Sequence, residues 1–207
     1  MRAEMEKQPM LAEIEAAIRD SRWLIRTDND GISYGGFCWP EIGKWIECPD
    51  WNNRPECGGG FHGQTAKAGG FWNGGSRLVF CEFDGEEIVL GDKSKVRRCR
   101  ILQVGIPAIF SSACVGGSLD LRGLSSAEGL TLPQSVGGSL NLRGLSSAEG
   151  LTLPQSVGGW LDLSGLSSAE GLTLPQSVGG SLNLRGLSSA EGLTLPQSVG
   201  GVFLKRG

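Results

Sequence analysis

Cys38, Cys48, Cys57 and His62 fall close together, and His62 is the sole histidine of the chain. Thiolates and imidazole are the side chains zinc prefers, so these four could close one structural metal site. No Cys-x-x-Cys pair brackets them, however, and the spacings are loose for a zinc knuckle. The stretch Cys57-Gly58-Gly59-Gly60-Phe61-His62-Gly63 could instead let backbone amides approach an anion. No Lys-Ser/Thr follows it, which excludes a phosphate-binding P-loop. His62 is the one candidate general base, although a lone histidine more often serves as a structural hydrogen-bonding residue. Cys81 and Cys99 fall in strand-like segments, where a thiol behaves as a small apolar core residue.

Charge and aromatics offer two further candidates. Lys93, Lys95, Arg97, Arg98 and Arg100 crowd one segment, the one basic cluster in a chain of net charge −3. Such a run is usually a solvated strand edge guarded against aggregation. Read functionally, Lys95, Arg97, Arg98 and Arg100 would meet an acidic protein surface or phosphates, and nucleic acid would bind nowhere else. Trp39, Trp45, Trp51 and Trp72 lie between Cys38 and Gly75. They either form the core of a domain poor in regular structure or line a stacking pocket.

The elements that must position these groups follow from periodicity. Pro9 to Trp23 read as a helix with Leu11, Ile14 and Ile18 on one stripe. Trp23–Thr27 and Ile32–Phe37 flank Asp28-Asn29-Asp30-Gly31, and Arg77–Phe83 and Glu86–Leu90 flank Asp84-Gly85; both clusters predict hairpins. Lys95–Val104 predicts another strand. The segments divide into an N-terminal helix over residues 1–20, a small α+β domain over 21–110, and a repeat region over 115–207.

The repeat region is a 21-residue unit written four times and begun a fifth, starting at Val115, Val136, Val157, Val178 and Val199. A strict period of that length marks a solenoid whose units bury their apolar sides only against one another. Leu119 and Leu121 alternate with polar residues and should point inward from a strand, and Leu130 and Leu132 predict a second short strand. Stacking at about 4.8 Å brings equivalent residues face to face. Asp120, Asn141, Asp162 and Asn183 alternate charge down one column and should share amide-to-carboxylate hydrogen bonds. The Glu128, Glu149, Glu170 and Glu191 column has no such relief and should lie on the outer, screened side.

One unit breaks the pattern: Trp160 replaces Ser, and Ser164 interrupts the Arg122, Arg143, Arg185 column. Trp160 either covers apolar side chains or anchors a partner. In the last unit Phe203 takes the place of Leu119, and Lys205 and Arg206 are placed to blunt an edge of Val202 and Leu204 that would otherwise favour a homodimer through the solenoid end.

The repeats resemble bacterial leucine-rich repeats of the Leu-Pro type, on Leu132-Pro133 and Leu119-x-Leu121. Gly123, Gly144, Gly165 and Gly186 stand near where that family carries a turn-bonding Asn, so a flatter β-solenoid is an alternative to a curved horseshoe. The first half resembles an uncharacterised domain of phage and prophage proteins, on Cys57 to His62, Glu82 to Glu87 and Lys93 to Arg100. That likeness implies an accessory role against a host system, such as inhibition of a bacterial immune complex. A fainter likeness to the ADP-ribosyltransferase fold, on His62 and Tyr34, implies a nucleotide-using head as the alternative.

The resulting expectation is a mainly β protein: an α+β head joined to a repeat solenoid that binds a host protein or complex through Trp160, Arg122, Arg143, Arg185, Asp120 and Asp162. No cofactor is implied. The repeats carry six acidic and five basic residues from Val115 on, too balanced for a nucleic-acid surface or a DNA mimic. No apolar run approaches a membrane span and no signal-peptide core opens the chain, so a cytoplasmic setting is expected. A third reading is self-assembly through the open solenoid end.

Overall fold

Antiparallel pairing builds the first half of the chain and parallel pairing the second. The computed structural model describes residues 10–33, 36–69, 75 and 77–204. Helix α1 (Leu11–Arg19) is shorter than its sequence pattern, because Ser21 enters the left-handed region at φ 53° and Arg22 N–H closes the last turn onto Ala17 O. Ile14 and Ala17 form its buried stripe, whereas Leu11 faces solvent. The head sheet comprises β1 (Trp23–Asp28), β2 (Ile46–Glu47), β3 (Phe61–Gly63), β4 (Arg77–Val89) and β5 (Ser94–Val104).

Both predicted hairpins take another form. β1 pairs with β4, far along the chain, and among the described residues of the Ile32–Phe37 stretch Ile32 makes isolated bridges to Asn29 and Cys38. All six residues of β1 are buried, its two faces covered by the two core clusters, as suits a strand inside a sheet more than one arm of an exposed hairpin. Asp84-Gly85 does not turn the chain. Gly85, at φ 84°, sits in a bulge within one continuous β4, and the register against β5 shifts between Asp84 and Glu87. The reversal comes at Leu90–Lys93, where Gly91 supplies the positive φ.

The sheet then closes on itself. β5 carries β4 on one edge and both β2 and β3 on the other, and residue Gln64, just after β3, exchanges two backbone hydrogen bonds with Ile25 of β1, each 2.8 Å. A Cβ on Gly63 would stand 2.6 Å from Ile25 O, so only glycine permits this closure. Leu24, Phe61, Val79, Cys81, Phe83, Val96, Cys99 and Ile101 fill one side; Trp23, Ile25, Phe80 and Phe110 fill the other with α1.

The C-terminal half is a parallel β-solenoid of about four turns, residues 114 to 204. Its strands are β6 (Cys114–Val115), β7 (Leu119–Asp120), β8 (Ser135–Val136), β9 (Leu140–Asn141), β10 (Ser156–Val157), β11 (Leu161–Asp162), β12 (Ser177–Leu184) and β13 (Ser198–Leu204). The leucines at 119, 121, 140, 142, 161, 163, 182 and 184 are all buried. The second strand lies at Ser135–Val136 and its equivalents, one position past the Leu-Pro step; the predicted Leu130–Leu132 strand forms no ladder. Proline removes a donor there, so pairing resumes only at Gln134, whose carbonyl takes Gln155 N–H at 2.8 Å.

Stacking also explains the glycines Gly144, Gly165 and Gly186. A Cβ on Gly144 would lie 2.3 Å from Arg122 O and 2.4 Å from Leu124 O. In the last rung the register slips by one: Val202 pairs with Leu182 and Phe203 with Asn183. The sequence register would turn Phe203 and Lys205 inward. A one-residue slip exchanges the two faces, turning Val202 inward and Phe203 out.

Head and solenoid share one core. Ile14, Trp23, Phe80 and Phe110 belong to the same buried cluster as Val115, Leu119 and the leucines of every later rung. The head also ends the first rung's ladder: Gln64 Nε2 donates to Asp120 O at 2.8 Å while Asp120 N–H donates to Gln64 Oε1 at 2.6 Å. One amide side chain thus imitates a neighbouring strand and blunts an edge that would otherwise recruit other chains. Gln64→Ala leaves a buried N–H and C=O unpaired, and we expect a loss of about 1–3 kcal/mol in urea unfolding, with head and solenoid probes melting together.

Candidate functional site

The solenoid positions its exceptional residue through its regular ones. In the first three rungs a Gly-Gly step separates the two strand columns, whereas β12 and β13 run through it, and a serine hydroxyl bridges the gap between rungs: Ser118 Oγ accepts Ser139 N–H at 2.9 Å, and Ser139 Oγ accepts Trp160 N–H at 3.0 Å. Trp160 has no hydroxyl with which to continue this chain toward Ser181. Its ring is 44 % exposed on the outer face of the sheet. Asp162 and Ser164 follow on the same face of its strand, half-buried, and Arg143 and Arg185 occupy the rungs on either side of Ser164.

The remaining predicted contacts sort unevenly. Asp120 is buried and holds Arg122 through its carboxylate, with Nε to Oδ2 at 2.7 Å, and hydrogen bonding to Asp120 raises the arginine's already high pKa. Both are therefore committed inside their rung. Arg185 lies over the Phe203 ring at 4.9 Å. Arg143 is exposed and joins no ion pair among the described residues. The Asp/Asn column does not share hydrogen bonds between rungs as expected. Each Oδ1 instead accepts the backbone N–H two residues on, at 3.1, 3.2, 3.0 and 3.3 Å for Asp120, Asn141, Asp162 and Asn183. A side-chain carbonyl suffices for this turn, which is why Asp and Asn interchange. The Glu128, Glu149, Glu170 and Glu191 column lies exposed, as its charge requires.

Lys95, Arg97, Arg98 and Arg100 of the basic cluster divide into one buried lysine and three ion-paired arginines. Lys95 is fully buried, and its ammonium donates to Asn52 Oδ1, Glu56 O and Gly58 O, each at 3.1 Å, 5.5 Å from the Trp51 ring. Arg97 pairs with Glu47, Arg98 with Asp84 and Arg100 with Glu82, and Arg98 and Arg100 both stack on Trp45. Cross-strand carboxylates thus match each of the three arginines and leave little field for phosphates.

The predicted zinc ligands are likewise apart. Among the described residues no three metal-ligating side chains come together. Cys38 and Cys57 are exposed, while Cys48 donates to Asp50 Oδ1 at 2.9 Å and is pushed up to about 12 by burial and that bond. The Lys95 ammonium, bonded to Asn52, Glu56 and Gly58, holds the loop that carries Cys57. His62 lies on β3 opposite Lys95, with Nε2 buried and without a hydrogen-bond partner; burial, then nearby Lys93, lowers its pKa. Tyr34, Trp72, Lys205 and Arg206 lie outside the described residues. Trp39 and Trp51 pack on the head core and Trp45 beneath its arginines.

No protein-family model matches the chain, and no curated protein and no solved structure is significantly similar to it. Among the described residues no helix is long and apolar enough to cross a membrane.

Proposed function

We propose that this protein is a non-enzymatic binding module whose solenoid face, centred on Trp160, docks a partner protein. The observation that carries the reading is an exception to a repeat: Trp160 gives up an inter-rung hydrogen-bond acceptor and exposes an aromatic ring where the other units need neither. Exposed tryptophans are enriched among the residues that dominate interface energies, and arginine, here Arg143, is their frequent companion. The near balance of charge favours a protein over a nucleic acid. The resemblance of the head to phage proteins makes a host macromolecular complex the partner class proposed here, with inhibition as the outcome.

The test is affinity capture by the full chain from nuclease-treated bacterial lysate, with Trp160→Ser and Arg143→Glu beside wild type and Arg97→Glu as a head control. A stoichiometric protein retained by wild type and the control, and lost with the two solenoid variants, supports the reading. Retention that is indifferent to both sinks it.

A second reading is favoured by the last rung, where Phe203 is 45 % and Leu204 44 % exposed beside an outer strand edge. Self-association of two copies along β13 would cover them. Sedimentation velocity should then show a dimer that Phe203→Lys returns to monomer; a wild-type monomer at all concentrations rejects it.

A further inference from the structure

The head buries two cations and treats them in opposite ways. Lys95 has three oxygen acceptors. Arg26, on β1 inside the closed sheet and only 9 % exposed, has one: Nη2 donates to Ser33 Oγ at 2.9 Å. Its guanidinium lies 4.5 Å from the Trp39 ring centroid and 5.9 Å from that of Phe61. Aromatic stacking satisfies the flat face of a guanidinium, but the in-plane N–H groups still require acceptors at the edge. Nε and Nη1 are buried and have none.

The surroundings deepen the donor surplus. Ser33 Oγ also accepts Trp39 Nε1, so both of its lone pairs are engaged and its own hydrogen is left to donate. Asp28, two residues along the strand, places both carboxylate oxygens on Arg77, at 2.7 and 2.9 Å. Among the described residues, thiols also act on the Arg26 charge. Burial raises the Cys99 thiol well above its usual range and holds Cys48 at about 12, so neither supplies a thiolate. Burial also lowers the pKa of Arg26, yet arginine keeps its proton in proteins. A second buried nitrogen without a partner, His62 Nε2, lies on the neighbouring strand β3 within range of the Arg26 charge. A buried, permanent cation with vacant donors, whose nearest described carboxylate is bonded to another arginine, is costly unless something brings a further negative charge to it.

We infer that Arg26, with the Ser33 hydroxyl and the Trp39 ring, forms a binding site for the oxyanion of a small ligand, a carboxylate or phosphate group. The guanidinium edge takes the oxygens through charge-assisted hydrogen bonds, and Trp39 walls the adjoining part of the ligand. The site lies in the head, apart from the Trp160 face, so it stands or falls separately from the partner-binding reading.

The test is a titration of the ¹⁵N-labelled full chain with sodium phosphate and, separately, with sodium acetate at constant ionic strength, following arginine Nε–Hε resonances. The expected result is a saturable shift of the Arg26 signal with one or both anions, while exposed Arg143 drifts without saturating; which anion saturates tells phosphate from carboxylate. The melting temperature should rise with that anion in wild type and not in Arg26→Met, which should melt at or above wild type in anion-free buffer because it removes an unpaired buried charge. Ser33→Ala should weaken the binding several-fold and serves if Arg26→Met fails to fold. An Arg26 signal that saturates with neither anion overturns the inference, as does anion-dependent stabilisation that survives in Arg26→Met.

Discussion

Trp160→Ser is expected to weaken partner binding by about 30-fold or more while changing the stability of the fold little. The two effects part because the substitution restores the consensus of the other rungs. Ser118 and Ser139 each accept the next rung's N–H through Oγ, at 2.9 and 3.0 Å. A serine at 160 would extend that chain to Ser181. Trp160 is 44 % exposed, so more than half of it is covered, and the restored serine hydrogen bond has that lost apolar contact to offset. Thermal denaturation and binding measured on the same samples check this together. A melting temperature several degrees lower with binding intact would make Trp160 a cover for apolar side chains and not an anchor.

Gly158→Ala should be among the most destabilising single changes in the solenoid. Its Cβ would stand 2.1 Å from Gly137 O and 2.9 Å from Gly137 C, both backbone atoms of the rung beneath. The rungs cannot part to admit it without stretching the bonds from Gly158 N–H to Val136 O at 2.8 Å and from Gly159 N–H to Gly138 O at 2.7 Å. Forcing a methyl into so tight a stack costs about 1–3 kcal/mol or more. Each rung touches only its neighbours, so the loss should concentrate in the rungs after 158 and show in hydrogen exchange there before the head responds. Gly171→Ala is the control. It meets nothing within 4 Å, and its φ of 71° alone should cost about 1–2 kcal/mol. Equal urea midpoints for the two variants would contradict this account of why the glycines are there.

The candidate site was legible in part. Trp160 stood out because a near-perfect repeat makes any exception visible, and the arginine column was plain for the same reason. Which arginines remain available was not. Arg122 is held by Asp120, and Arg97, Arg98 and Arg100 meet Glu47, Asp84 and Glu82 across strands. Those pairings depend on register, which a run of basic residues does not encode. Arg26 carried no signal beyond its place in Trp-Leu-Ile-Arg-Thr-Asp, a strand too apolar to expose one face, and only the closed sheet shows how little surrounds it.

By itself the sequence determined the solenoid, since a period of 21 residues with leucines at fixed offsets has no other way to bury them than by stacking, and like charges in register must face outward. Tertiary structure decided the rest. Asp84-Gly85 became a bulge because β5 pairs with β4 on both sides of it, Lys95 went inward because one loop folds three oxygens around its ammonium, and the last rung slipped by one residue to turn Val202 inward. Nor did composition reveal that the head completes the solenoid core through Phe110 and caps its first strand with the Gln64 amide. In each case the deciding contact joins residues far apart in the chain, whose free energy exists only once the intervening loop has closed.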